Sequence, residues 1–298
     1  LKPAYLILLL ALNFCWAAVY SIYKVLGSAL PTGSIVTLRF GLAGLCFLLV
    51  WPWLPGPAPR GRDLVKTVFL GLLLYLVGQR LQVYGNNLGT AGNSAVLMAF
   101  EPLLTSVAAA IFLHEHIGPR RLGGFALAMV GVVLLNRIWR SDFQWTGLTA
   151  SLIFVSSFIC EAAYSVVGKT IVQRYSPTKM LAISLLVGTA ANLLVDGSAT
   201  INAARALSAG NWALLALMTV VCTTIGYSAW FIIIRECPIN VAALTIFAQS
   251  AFGVAIAAIW LKEKLHWGQL WGSAAIVAGL VLGLSRQIKK YEPGPVAR

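Results

Sequence analysis

Acidic residues are scarce in this chain. Nine Asp and Glu occur in 298 residues, and charged residues of both signs make up only 10%. A soluble chain of this length would carry about a quarter charged residues. Histidine is rarer still, with His114, His116 and His266 alone. No His-Glu-x-x-His occurs; "HEH" at 114–116 lacks that spacing, which excludes a zinc protease of that kind. The three aspartates, Asp63, Asp142 and Asp196, are scattered, whereas prenyl transfer needs them clustered. The histidines fall at the ends of apolar runs, so no serine–histidine dyad is expected inside one. Cys15, Cys46, Cys160, Cys222 and Cys237 have no metal-ligand spacing and read as small packing residues. No enzyme chemistry, metal or cofactor is expected.

What the chain has instead is apolar length. Hydrophobic residues make up 59%. Runs of roughly 20 residues, each able to span a bilayer as a helix, recur at about 4–26, 33–51, 64–84, 91–113, 120–138, 145–170, 179–195, 211–234, 240–261 and 267–286. The expectation is an all-α integral membrane protein of ten transmembrane helices. The first run reads as a span and not as a cleaved leader, being too long and lacking a small-residue cleavage site.

The net charge of +13 could suggest nucleic acid, but its placement points to a bilayer. With the N-terminus in the cytoplasm, that side holds Lys2, Arg60, Arg62, Lys66, Arg120 and Arg121. It also holds Lys169, Arg174, Lys179, Arg235, Arg286, Lys289, Lys290 and Arg298. The other side holds Arg137, Arg140, Arg205, Lys262 and Lys264, so the count is fourteen against five. The positive-inside rule therefore places both termini in the cytoplasm. The expected partners are lipid and a small molecule, with no nucleic acid.

The chain also repeats itself. "NSAVLMAFEPLLTSVAAAIFLHEHIGPRRLGG" from Asn93 aligns with "VAALTIFAQSAFGVAIAAIWLKEKLHWGQLWG" from Val241 at a constant offset of 148. Glu115 then meets Glu263, Gly124 meets Gly272, Gly131 meets Gly279, and Glu101 meets Gln249. At the front of each half, "CWAAVYSIYK" (Cys15–Lys24) pairs with "CEAAYSVVGK" (Cys160–Lys169), so Trp16 meets Glu161. Two repeats are expected, residues 1–144 and 145–298. Five helices is an odd number, so the second half enters the membrane inverted. Inverted repeats of this kind mark transporters whose site lies between the halves near the midplane.

Here a family resemblance becomes visible. "WAAVYSIYKVLGSALPTGSIVTLRF", Trp16–Phe40, resembles the first two helices of the ten-helix drug/metabolite transporters of the EamA type. Those carry a tryptophan, a lysine, a loop proline and an Arg-Phe pair. Ala95–Gly131, with Pro102, Leu113, Glu115 and spaced glycines, resembles that family's fourth and fifth helices. The resemblance implies a bacterial inner-membrane exporter of small metabolites. Its aromatic content looks most like the branch that exports aromatic amino acids. Glu101 departs from the pattern, since many relatives have an apolar residue before that proline.

Only Glu101 and Glu161 lie within expected spans; the other seven acids are placed in loops, at helix ends or in the tail. Intramembrane acids usually face the bundle interior, and helical spacing tests what they share a face with. Asn13, Trp16, Tyr20 and Lys24 form one stripe, and Tyr75, Gln79, Gln82 and Asn86 a second. Ser94, Met98, Glu101 and Thr105 form a third. Ser157, Glu161, Ser165 and Gly168 form a fourth, beside Tyr164. Thr219, Thr223, Gly226 and Trp230 form a fifth, beside Tyr227, and Thr245, Gln249 and Phe252 a sixth. Six stripes imply one wet cavity. The competing reading is hydrogen bonding between helices.

The candidate binding residues are Trp16, Tyr20, Gln79, Met98, Glu101, Glu161, Tyr164, Tyr227, Trp230, Gln249 and Phe252. Glu101 either binds a substrate ammonium or carries a coupling proton. Alternatively it forms a structural pair with Arg39, Arg80 or Lys169, or a hydrogen bond to a neighbour. "EAAYSVVGK" also resembles the first helix of the small multidrug-resistance pumps of the same superfamily, whose glutamate binds drug and proton; Glu161 occupies that position. The cargo expected from aromatic walls is a flat amphipathic molecule, most of all an aromatic or hydrophobic amino acid. Efflux of organic cations and uncoupled facilitation are the alternatives.

Overall fold

The computed structural model describes residues 2–88, 94, 97–142, 147–260 and 266–289. Ala95, Lys262, Glu263, Lys264 and part of the expected 91–113 span lie outside the described residues. Helices account for the regular structure among them. In chain order they are α1 (Pro3–Gly27), α2 (Thr32–Leu49), α3 (Gly61–Leu88), α4 (Phe100–Phe112) and α5 (Pro119–Asn136). Then come α6 (Leu148–Val172), α7 (Pro177–Arg205), α8 (Ala209–Glu236), α9 (Ile239–Leu244 continuing as Ala248–Trp260) and α10 (Trp267–Lys289).

Eight of these are long and apolar enough to cross a membrane, and α4 is a shorter apolar helix. The two expected spans outside that eight are α4, part of whose expected span lies outside the described residues, and α5, which opens on the Arg120–Arg121 pair. Prolines begin α1, α5 and α7, at a position whose missing N–H costs nothing. Ser176 and Ser208 cap α7 and α8 by accepting from Lys179 N and Asn211 N.

Two irregularities recur at the repeat spacing. A π-helical turn interrupts α3 at Leu72–Gly78 and α8 at Met218–Ile225, close to 148 residues on. Each turn admits an extra residue and re-aims the side chains of the next helical turns: Gln79 and Gln82 in α3, Tyr227 and Trp230 in α8. Similarly, a turn at Met98 and Ala99 precedes α4, and a 3₁₀ turn at Thr245–Phe247 splits α9. Glu101 therefore stands in the first turn of α4 and Gln249 in the first turn of the second part of α9.

Packing follows the same offset. Helix α5 lies on α10, α2 on α7, α1 on α9, and α4 on α6. The α5–α10 seam is backbone against backbone. A Cβ on Gly131 would sit 2.6 Å from the Gly272 carbonyl oxygen, and one on Gly124 would sit 2.7 Å from that of Gly279. The pairing is reciprocal, since 124 and 131 are the offset mates of 272 and 279.

The helix ends expected on one membrane side meet each other. Lys2 binds Glu236 at 2.8 Å, Arg174 binds Asp63 at 3.1 Å, and Ser176 N donates to Pro57 O at 2.9 Å. Lys169 Nζ lies 2.9 Å from Glu115 Oε1 and 2.7 Å from Cys237 O.

Asp196 falls at a helix end, as the sequence reading allowed, but one inside the bundle. It lies inside α7 at a kink, with φ −141° and ψ 19°. There it takes Arg80 Nη2 at 2.7 Å and Thr37 Oγ1 at 3.0 Å. A short charged side chain in an apolar segment is stable there because an arginine from α3 reaches it.

A charged, aromatic cavity as candidate binding site

Helices from both halves enclose one cavity with about 630 Å³ of empty space, its mouth included. From α1, Trp16, Val19 and Tyr20 face it, one helical turn apart; Arg39 enters from α2 and Gln82 from α3. Glu101 and Thr105 come from α4, Glu161 and Ser165 from α6. Tyr227 and Trp230 come from α8, Ile246 and Gln249 from α9. The repeat mates Glu101 and Gln249 thus line the same space, as do the mates Gln82 and Trp230.

The opening of α4 resolves an oddity of the sequence, a carboxylate followed by a proline in an apolar run. Inserting the charge costs roughly 2.5–3.5 kcal/mol. Pro102, in the same first turn, removes an N–H that no helical bond needs. The pair marks where the regular helix resumes after the turn at Met98 and Ala99.

The aromatic wall is tied to the frame. Trp16 packs against Tyr227 and Trp230, with ring centroids 6.1 Å apart in each case. Trp16 Nε1 donates to Cys222 O at 2.9 Å, and Trp230 Nε1 to Ser165 Oγ at 3.2 Å. Glu161 Oε1 accepts from Gln79 Nε2 at 2.6 Å and from Tyr227 OH at 3.2 Å; Gln79 and Tyr227 are themselves offset mates. Gln249 Nε2 donates to Asn13 Oδ1 at 2.9 Å.

Three charged groups reach the cavity: Arg39, Glu101 and Glu161. Arg39 is buried; it donates Nε to Thr223 Oγ1 at 2.8 Å and Nη1 to Tyr23 OH. Its plane lies 4.7 Å from the Phe40 ring centroid. Glu161 lies within electrostatic reach of both Arg39 and Glu101, yet neither carboxylate forms an ion pair with Arg39 among the described residues. The other cations suggested for Glu101 are engaged elsewhere, Arg80 with Asp196 and Lys169 with Glu115.

Seven sequence candidates face the cavity: Trp16, Tyr20, Glu101, Glu161, Tyr227, Trp230 and Gln249. Four do not. Gln79 is buried behind the wall and holds Glu161. Tyr164 is also buried behind it, bonded to Tyr75 OH at 3.2 Å and edge-on to Phe231. Phe252 packs on Phe14 with centroids 5.6 Å apart, and Met98 lies in the turn before α4. Sequence reasoning missed Arg39, Val19 and Ile246, and left Gln82, Thr105 and Ser165 on the stripes without a binding role.

Known proteins resemble the chain in sequence and fold. A profile of the EamA-like transporter family matches the chain twice, over residues 3–137 and 148–285. An uncharacterized transporter of Archaeoglobus fulgidus is 21% identical over 93% of this chain and 97% of its own. A probable terminal-alkyne amino-acid exporter of Streptantibioticus cattleyicolor is 22% identical over 94% of each. A probable amino-acid metabolite efflux pump of Escherichia coli is 26% identical over 65% of this chain and 67% of its own. One crystal structure superposes with a TM-score of 0.75 at 15% identity, covering 97% of this chain and 100% of that one. At that identity the likeness speaks for the all-α fold alone.

Proposed function

The chain belongs to the EamA-like transporter family, and on that footing we propose that it exports small amphipathic metabolites, above all aromatic and hydrophobic amino acids. Its family and relatives are transporters and not enzymes, so the chain moves its ligand and does not transform it. One observation carries the reading. A single cavity built from both halves combines an arginine, two glutamates and a wall of Trp16, Tyr20, Tyr227 and Trp230. Aromatic faces bury flat apolar side chains and attract ammonium groups. An organic cation alone suits the site less well, because Arg39 would repel it.

In this reading residues 1–144 and 145–298 are inverted repeats that rock about the cavity and open it to each side in turn. Glu161, or Glu101, carries the proton that couples export to the proton gradient. The protein sits in the cell's inner membrane with both termini in the cytoplasm. Lys2–Glu236, Arg174–Asp63 and Lys169–Glu115 join helix ends expected on one side, and the basic count makes that side cytoplasmic.

Two measurements test this. In proteoliposomes preloaded with an aromatic amino acid, labelled aromatic amino acid outside should exchange faster than into empty vesicles and saturate. Acceleration by organic cations alone would overturn the cargo, and unsaturable flux would mean a channel. Reporters fused after Arg298 should read cytoplasmic, and those in the loop between α3 and α4 periplasmic. A periplasmic C-terminus would sink the inverted repeat.

A further inference from the structure

We propose that the cavity recognises the zwitterionic end of its cargo: Arg39 takes the α-carboxylate and Glu101 the α-ammonium, with the side chain against the Trp16–Tyr227–Trp230 wall. The inference rests on the amino-acid reading above and assigns it to atoms.

A guanidinium buried in an apolar bundle is costly unless matched by an anion. Arg39 is buried, yet its two hydrogen-bond partners, Thr223 Oγ1 and Tyr23 OH, are neutral. Both are committed in turn: Thr223 Oγ1 donates to Met218 O at 3.1 Å, and Tyr23 OH to Gln79 Oε1 at 3.4 Å. Those bonds fix Nε and Nη1. Nη2 has no acceptor among the described residues, and the side chain lines the cavity. The fork is thus held rigidly with one arm left for an anion, the geometry in which arginine binds a carboxylate best.

Glu101 is the complement. No N–H or O–H of the described residues donates to its carboxylate, which also faces the cavity. Glu161 is different, because its Oε1 is already held by Gln79 and Tyr227. The wall therefore offers one open cationic site and one open anionic site. A lone amine meets Glu101 but is repelled by Arg39. A lone acid meets Arg39 but is repelled by Glu101 and Glu161. A zwitterion satisfies both.

The test is competition against bound labelled phenylalanine on the purified full chain, using ligands that share one benzyl side chain: phenylalanine, phenylalaninamide, phenethylamine and 3-phenylpropionate. The wild type should bind the three analogues roughly 30-fold or more weakly, the scale of leaving one desolvated charge unpaired. Glu101→Gln should lose the preference over 3-phenylpropionate and keep that over phenylalaninamide; Arg39→Gln should do the reverse. Because Arg39 also braces Tyr23 and Thr223, the wild-type series and Glu101→Gln carry the test if Arg39→Gln fails to fold. Equal binding of phenylalanine and phenylalaninamide by the wild type would overturn the assignment and leave the amino-acid reading standing. So would a Glu101→Gln protein that weakens every ligand equally. Absence of any phenylalanine binding, with phenethylamine bound, would remove both.

Discussion

Glu115→Ala should cost about 3–5 kcal/mol of stability, the scale of a buried pair broken from one side, although Glu115 touches no cavity residue. Its side chain is 10% exposed and that of Lys169 11%. One carboxylate accepts from Lys169 Nζ, from the backbone N–H groups of Ile239 and Asn240 at 2.8 and 3.0 Å, and from Asn240 Nδ2 at 2.7 Å. It pins the α4–α5 connection to the end of α6 and caps the start of α9. Removing it strands Lys169 on the single carbonyl of Cys237 and uncaps α9. Lys169→Ala should cost less, since Glu115 keeps three N–H donors. The pair of changes made together should recover part of the loss, because no charge is then stranded. Melting of the three purified variants measures this. If Glu115→Ala melts with the wild type, the network is ornamental.

The second large effect is expected at Gly131. Leucine there would drive its Cβ to within 2.6 Å of the Gly272 carbonyl oxygen, against backbone that has nowhere to go. Overpacking in a core costs about 1–3 kcal/mol when side chains can yield, and here the obstacle is the partner helix itself. Helices α5 and α10 must move apart, which gives up the close backbone contact that small residues provide in membranes. The variant should fail to accumulate. Gly123→Leu, one residue from Gly124 and 3.4 Å from a single flexible atom of Leu282, should accumulate far better. Quantifying both by size exclusion in detergent separates a seam effect from a general dislike of bulk.

Much of the fold was readable because apolar length is a strong signal and the offset of 148 places matched breaks in both halves. The site was half readable. Glu101 stood out as a charge where a charge is costly, and its mate Gln249 pointed to a lined space. Arg39 was missed because its place in the cavity depends on Tyr23 and Thr223, 16 and 184 residues away in the chain. The stripe of Tyr75, Gln79, Gln82 and Asn86 misled for a different reason. It assumes 3.6 residues per turn, and the π turn at Leu72–Gly78 breaks that count. Tyr75 and Gln79 lie behind the wall, and Gln82 faces the cavity. Asp196 was legible as a helix end, and it sits at the kink of α7; its pairing with Arg80 was not, because nothing local announces it.

The matched positions are symmetric in backbone and unlike in chemistry. Glu101 stands opposite Gln249, Gln79 opposite Tyr227, Gln82 opposite Trp230, and Trp16 opposite Glu161. In the proposed alternating-access cycle, identical mates would give two open forms that present equivalent walls to the two compartments and hold a cargo equally well. With charge on one mate only, they do not. The half-saturating concentration must then differ between the two faces, and in the absence of a driving gradient the maximal rates must differ in compensation, so that the resting distribution of cargo is unchanged. Unequal mates would therefore make the proposed carrier kinetically one-sided, and the proposed proton coupling would set the direction of net flow.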